Sequence, residues 1–144
     1  MKYDKKIVLV YGLGTSGKSA INFLADNGAL LYAYDDKKSV VERATMIKNL
    51  TNLNTSTIDF AVISPGVDIN SSNINFLKEK GVHLKSELEL GLENLKAKLF
   101  CITGTNGKTT CVNLLNSIFL QAGKNSKLFG NVGTPVTSVV KEMH

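Results

Sequence analysis

A chain of 144 residues with 43% hydrophobic and 20% charged residues has an ordinary globular composition, enough for one domain or for one small domain and part of another. The net charge of +5 is modest and the lysines are scattered, so charge alone indicates no particular partner. We predict that the chain does not bind nucleic acid. No apolar run is long enough for a membrane span, and Met1–Lys6 is too polar for a signal peptide. We therefore expect a cytoplasmic location and no interaction with a membrane.

The first part of the chain alternates between short apolar runs and amphipathic stretches. The apolar runs have the continuous character of parallel strands that are covered on both faces. They lie at residues 7–11, 29–34, 60–63 and 82–84. Helices are predicted after the first run as far as Gly28, over Val40–Leu50, and from a cap at Ser71 or Ser72 to Lys80. This alternation predicts an α/β fold with a Rossmann-like parallel sheet.

The loop after the first run satisfies two phosphate-binding patterns at once. Residues Gly12–Ser19 fit the strict Walker pattern, and Gly12–Gly17 also fit Gly-x-Gly-x-x-Gly directly after a strand. Asp35 follows about twenty residues later, where a Rossmann site places a carboxylate to read the nucleoside and a Walker loop has no role for one. We therefore assign the loop to a diphosphate-bearing nucleotide, with Lys18 an incidental neighbour or a weak phosphate contact. The alternative is a tight strand-to-helix turn without a ligand.

A second loop of similar design occupies Thr103–Thr110. It follows the apolar run Leu99–Ile102 and precedes apolar residues at spacings of three and four that end before Gly123. Strand, glycine-rich loop and helix are therefore predicted in that order. Such a loop lets a polyphosphate approach the backbone N–H groups at the helix start.

The side chains of the second loop favour a nucleoside triphosphate. Lys108 supplies a mobile charge for the terminal phosphates, and the hydroxyl of Thr109 can hold a magnesium ion. The strict Walker pattern needs a glycine where this chain has Ile102, so the loop is a shortened variant, Gly-x-x-Gly-Lys-Thr. The alternative is a helix-capping turn that happens to carry a lysine.

Three further elements are predicted around the second loop. They are a short amphipathic helix at Glu87–Leu95, a strand at Ser126–Phe129 and a helix from Pro135 to His144. Glu87 and Glu89 are expected on a solvated helix face, without a catalytic role. Cys101 and Cys111 are expected to be buried, reduced thiols, as is usual in the cytoplasm.

Several motifs of the chain resemble those of the Mur ligases of bacterial cell-wall synthesis. Thr103–Thr110 reads Thr-Gly-Thr-Asn-Gly-Lys-Thr-Thr, the full motif of that family, and its Asn106 argues against the alanine-adding branch. Three other motifs resemble the branch that adds D-glutamate. They are Gly130–Pro135, Ser64–Gly66 and Glu87–Leu90.

The resemblance implies roles for individual residues. The diphosphate of a UDP-substrate would be held by Gly14, Thr15 and Ser16. The uridine pocket would be shaped by Asp35, Asp36, Ser64, Pro65 and Gly66, and Asn131 would face the muramoyl end. ATP would be bound by Gly104, Thr105, Asn106, Gly107, Lys108, Thr109 and Thr110. Of these, Lys108 would be catalytic and Thr109 would ligate Mg²⁺. Without a ligand, Ser64–Gly66 is a strand-ending turn and Asp35 a solvated carboxylate.

The resemblance also implies an organisation and an activity. Residues 1–93 would form the UDP-substrate-binding domain, and residues 94–144 the beginning of a P-loop-type α/β ATPase domain. The activity would be ATP-dependent joining of D-glutamate to UDP-N-acetylmuramoyl-L-alanine through an acyl phosphate. This chain would be only the start of such an enzyme, so we expect it to be inactive alone and to self-associate through its second half. The alternatives are an NAD-dependent oxidoreductase built on Gly12–Gly17 and a non-catalytic nucleotide-binding module.

Overall fold

The computed structural model of the chain describes residues 2–37, 40–130 and 134–140. Its centre is a five-stranded sheet in which every neighbouring pair of strands is parallel. The strands are β1 (Ile7–Tyr11), β2 (Leu30–Tyr34), β3 (Thr45–Met46), β4 (Phe60–Ile63) and β5 (Leu84–Ser86). Their order across the sheet is β3-β2-β1-β4-β5, which confirms the predicted Rossmann-like α/β fold.

Five α-helices accompany the sheet within the described residues. They are α1 (Thr15–Asp26), α2 (Ser72–Glu79), α3 (Glu87–Leu92), α4 (Lys108–Gln121) and α5 (Val136–Val140). Two 3-10 turns, Leu50–Asn52 and Thr55–Thr57, lie between β3 and β4. The cap predicted for α2 is Ser71, whose hydroxyl accepts a hydrogen bond from the backbone N–H of Ile74.

The sheet is covered on both faces because successive side chains of a strand point in opposite directions. On one face, Val8 and Val10 of β1 pack in a core with side chains of α1, α3 and α5. On the other face, Leu9 and Tyr11 pack with α2 and with Leu50 of the first 3-10 turn. The continuous apolar run of β1 therefore follows from burial on both sides, as the sequence predicts.

The helix predicted over Val40–Leu50 is wrong. Residues 45–46 form the edge strand β3, and Leu50, which is fully buried, starts a 3-10 turn capped by the side chain of Asn49. The guanidinium of Arg43 binds Asp26 at 2.6 Å and so fixes the segment beside the end of α1. The contacts of this segment with β2, α1 and the core on the α2 side of the sheet therefore outweigh the helical spacing of its apolar residues.

The strands predicted at Leu99–Ile102 and Ser126–Phe129 are not formed. A strand needs a neighbour to accept its backbone hydrogen bonds, and neither segment pairs with one of the five described strands. Cys101 and Cys111 are exposed free thiols, so their predicted burial is wrong as well. The helix predicted after the second loop is confirmed as α4, and Gly123 follows its end with a φ of +70°.

The last described helix returns to the first part of the chain. Val136 and Val140 of α5 are buried in the same core as α1 and α3, and Phe129 packs against that core from the preceding segment. Gly91 of α3 allows this close approach, since a Cβ atom there would lie 2.5 Å from the Cβ of Val136. The division at residues 93 and 94 remains a prediction. Residues 141–144, the end of the predicted last helix, lie outside the described residues.

No helix among the described residues is both long and apolar enough to cross a membrane.

Candidate nucleotide site

A cavity of about 570 Å³ opens where β1, β2 and β4 end. In a parallel sheet of this order, ligands bind at the carboxyl ends of the strands, between the connection from β1 to β2 and the connection from β4 to β5, which run towards opposite edges. The lining includes all eight described residues that the sequence assigns to the UDP-substrate. They are Gly14, Thr15, Ser16, Asp35, Asp36, Ser64, Pro65 and Gly66. The ninth, Asn131, lies outside the described residues.

The glycines of the first loop are required by close contacts. A Cβ on Gly17 would overlap the carbonyl oxygen of Gly12, so α1 can approach the end of β1 only with glycine at this position. Gly12 has a φ of +89°, and a Cβ there would lie 2.8 Å from that of Ser64. The hydroxyl of Ser64 donates to the carbonyl oxygen of Gly12 at 2.6 Å. Ser64, which directly follows β4, therefore stabilises the loop by this hydrogen bond and also lines the cavity.

The start of α1 is open to an anion. Its cap residue is Gly14, which has no side chain to bind the free N–H groups of the first turn. These groups and the positive end of the helix dipole favour a phosphate or diphosphate in the cavity. Lys18 is exposed and does not line the cavity, which fits its interpretation as an incidental neighbour.

Asp35 holds the loop as well as facing the cavity. One carboxylate oxygen accepts the backbone N–H of Leu13 at 2.6 Å, and the other accepts that of Lys37 at 2.7 Å. The carboxylate thus joins the end of β2 to the glycine loop, and Lys37 lies beside it on the cavity wall. The sequence predicts a nucleoside-reading carboxylate here but not this bond to the loop.

Replacing Asp35 with alanine is expected to weaken UDP binding more than pyrophosphate binding. Both ligands lose a loop restraint, because the Leu13 N–H loses its acceptor, but only UDP would also lose the predicted contact to its base or ribose. Isothermal titration with both ligands measures the difference. Asp68→Ala is the control, since Asp68 also lines the cavity and its carboxylate accepts only the local N–H of Asn70 in the described contacts. Equal losses for the two ligands would show that Asp35 does not read the nucleoside.

A polar cluster closes the cavity beside Asp36. Its carboxylate accepts the hydroxyls of Tyr11 at 2.7 Å and Tyr34 at 3.0 Å, and the amide of Asn73 donates to it at 3.3 Å. Burial raises the pKa of both tyrosine hydroxyls, and the Asp36 carboxylate raises them further, so both remain donors at neutral pH. Asp36 is therefore held by protein groups at the place where it lines the cavity.

Sequence reasoning missed the three partners of Asp36. A usable signal was present for two of them, because β1 and β2 both end in a tyrosine and the paired register places Tyr11 opposite Tyr34. Nothing in the sequence indicates Asn73, which belongs to α2.

The second loop lies on the surface of the described structure. Gly104 and Gly107 have φ angles of +147° and +76°, and Gly107 caps α4. The ammonium of Lys108 donates to the carbonyl oxygens of Gly104 and Thr105, so it already lies inside the loop. The predicted ATP residues Thr105, Asn106, Lys108, Thr109 and Thr110 are all exposed. They form a loop at a helix start, as predicted, but no described cavity encloses them.

A separate apolar cavity of about 520 Å³ lies beside α4. Its walls come from Leu95, residues 97–100, one side of α4 and residues 124–129, and none of residues 103–110 lines it. Phe100 and Phe119 meet there with ring centroids 5.0 Å apart. In the described part of the chain, no group of three or more His, Cys, Asp or Glu side chains could hold a metal ion.

Glu87 is buried, which contradicts its predicted place on a solvated helix face. Only 5% of the residue is exposed, and its Oε1 accepts both the backbone N–H and the hydroxyl of Thr137 at 2.7 Å. The hydroxyl of Thr137 also meets that of Ser19 at 2.7 Å. The prediction failed because the partner lies fifty residues away on α5, which no local periodicity reveals. Glu89 is exposed and completes a capping box with Ser86.

Comparisons with known proteins match residues 5–86 in one case and nearly all of the chain in the other. A family model described as Mur ligase MurD-like, N-terminal domain, matches residues 5–86. Curated relatives named UDP-N-acetylmuramoylalanine--D-glutamate ligase align with nearly all of the chain. The relative from Wolbachia pipientis wMel is 37% identical over 150 residues, which is 98% of this chain and 30% of the relative. Those from Thermoanaerobacter sp. strain X514 and Clostridium kluyveri are 35% and 36% identical, covering 99% and 96% of this chain and 34% and 32% of the relatives.

The chain thus spans about a third of the length of the curated relatives that it matches. The matched family region extends over more than half of the chain and contains the Gly12–Gly17 loop, Asp35 and Ser64–Gly66 at one cavity. On these grounds the chain belongs to the MurD-like branch of the Mur ligases.

Proposed function

We propose that the cavity at the end of β1 binds the UDP part of UDP-N-acetylmuramoyl-L-alanine. The observation that carries this proposal is the convergence of the open α1 start, Asp35 and Ser64–Gly66 on one cavity. The diphosphate would accept the first N–H groups of α1, and the nucleoside would lie towards Asp35 and Lys37. The name of the curated relatives supports this substrate.

The second loop would serve ATP in the complete ligase. Gly104–Thr110 would wrap the phosphates, the Lys108 ammonium would move from the loop carbonyls to the terminal phosphates, and the Thr109 hydroxyl would hold Mg²⁺. The donor set fits these ligands, because it combines a helix start, one lysine and one hydroxyl. Bound magnesium would offset negative charge on the phosphates.

The reaction proposed for the complete protein is amide-bond formation between the substrate carboxylate and D-glutamate. The carboxylate would attack the terminal phosphate of ATP and form an acyl phosphate, and the amine of D-glutamate would then displace inorganic phosphate. Bringing two anions together requires a cation and aligned N–H donors, which Lys108 and the start of α4 would supply. We propose a cytoplasmic location, and no ligase activity for this chain alone, because it spans about a third of its relatives.

Ligand titration tests the proposed substrate. UDP and UDP-N-acetylmuramoyl-L-alanine are expected to bind the chain and raise its melting temperature, because both would bind only the folded state. NAD and Mg·ATP are the comparison ligands, and we expect weak binding for both. Preference for NAD over UDP would favour an oxidoreductase, and UDP binding without turnover after the chain is extended to full length would favour a non-catalytic module.

A further inference from the structure

We infer that Glu87 is a positioning residue, which fastens the segment after the second loop to the nucleotide-binding domain. Its carboxylate comes from the first turn of α3, and both groups that it accepts belong to Thr137 in α5. The inference depends on the proposed function only for the identity of the ligand in the cavity.

The hydrogen bonds of this contact have a defined direction. Thr137 donates its hydroxyl proton to Glu87, so the proton between Thr137 and Ser19 must come from Ser19. A chain of donors therefore leads from α1 through α5 to α3. Thr137 is 1% exposed, so without the Glu87 carboxylate its N–H would be buried with no acceptor, while its hydroxyl could still donate to Ser19.

The packing around the contact is close on every side. Val136 and Val140 are each 1% exposed and lie in the core formed with α1 and α3. Gly91 lies against Val136, and a side chain at that position would push α5 away. The short helix α5 is thus held by the polar contact of Thr137 with Glu87 and by the apolar contacts of Val136 and Val140 on either side of it in the chain.

The contact determines where the second loop can lie. Leu95 and Phe129 both pack against the first core, so the chain between them leaves this domain and returns to it. That chain includes α4 and the whole second loop. With α5 attached, the second loop is fastened to the nucleotide-binding domain at both ends; with α5 released, only the packing of Phe129 would hold the returning end.

Distances between spin labels test the positioning. Labels at Ser138→Cys on α5 and Lys78→Cys on α2 occupy exposed positions, in a background with Cys101→Ser and Cys111→Ser. Pulsed electron–electron double resonance measures the distance between the two labels, and one narrow peak is expected for this protein. Glu87→Leu, which has a similar size and no acceptor, is expected to lose that peak, and Gly91→Leu is expected to lose it by sterically displacing α5.

Matched variants separate this role from a general loss of stability. Glu87→Gln keeps an acceptor oxygen and is expected to retain the narrow peak, as is Glu89→Gln two residues along the same helix. Circular dichroism melting checks that each variant is folded, independently of any ligand. If Glu87→Leu does not fold, Thr137→Val is used in its place, since it removes the hydroxyl from the contact.

The possible results decide the inference. Loss of the peak in Glu87→Leu and Gly91→Leu, with the peak kept in both glutamine variants, supports it. An unchanged peak in a folded Glu87→Leu, a broad distribution in the starting protein, or loss of the peak in Glu87→Gln would overturn it. UDP titration of the starting protein is a separate measurement, and its failure would remove the proposed ligand without affecting the assignment of Glu87.

Discussion

Alanine at Lys108, in a chain extended with the remaining two-thirds of a relative, is expected to lower formation of ADP and of the amide product about 10³-fold or more. In the proposed reaction the ammonium contacts the phosphoryl group while charge moves, so its loss raises the barrier to the chemical step. The exposed position of Lys108 makes a folding defect from this change small. Release of ADP and of the product is measured at saturating substrate.

Lys18→Ala in the same extended chain is the control. Lys18 also follows a glycine at a helix start, but it is exposed and outside the cavity lining. Turnover is therefore expected to persist, with at most a higher KM for the UDP-substrate. If Lys18→Ala were inactive and Lys108→Ala nearly normal, the assignment of the two loops would be reversed.

Gly17→Ala is expected to lower UDP affinity about a hundredfold, which equals the loss of one or two hydrogen bonds to a charged group. The added Cβ overlaps a backbone oxygen of Gly12, so α1 must move away from β1 and its first N–H groups move with it. Overpacking of this kind also lowers the free energy of unfolding by about 1–3 kcal/mol. Titration calorimetry and urea denaturation measure the two effects.

Gly14→Ala provides the matched control in the same loop. A Cβ at Gly14 meets no atom within 4 Å, and its φ of −69° is allowed for alanine. Stability should therefore change little. A Gly17→Ala protein as stable as Gly14→Ala would show that the loop does not need its close packing.

Much of the sheet and of the first cavity is predictable from the sequence because local signals and tertiary contacts agree there. The runs that become β1 and β4 are apolar throughout, and both strands are buried on both faces. The first cavity follows from the same logic, since parallel strands bring Gly14, Asp35 and Ser64 to one edge whatever their separation in sequence.

The failures occur where a distant partner decides the structure. Leu99–Ile102 has the composition of a strand, but its backbone finds no neighbouring strand in the described structure, and composition cannot reveal that. The prediction for Glu87 is wrong in the opposite direction. Its polar surroundings in the sequence predict an exposed side chain, but contact with Thr137, fifty residues away, buries it. Residues 45–46 become a strand through pairing with β2, which a helical spacing cannot anticipate.

The exposure of α4 has a consequence for energetics at the second loop. None of its fourteen residues is buried, and Leu114, Ile118 and Leu120 are each more than half exposed. A helix of this length is marginal in water when so few of its side chains are covered, so we expect α4 to exchange with unwound forms unless a further surface covers its apolar side. The N–H groups that would receive a nucleotide phosphate are aligned only while the helix is wound. Phosphate affinity and coverage of α4 are therefore linked quantities, and any polypeptide that covers the helix would act as an activator of nucleotide binding without touching the nucleotide.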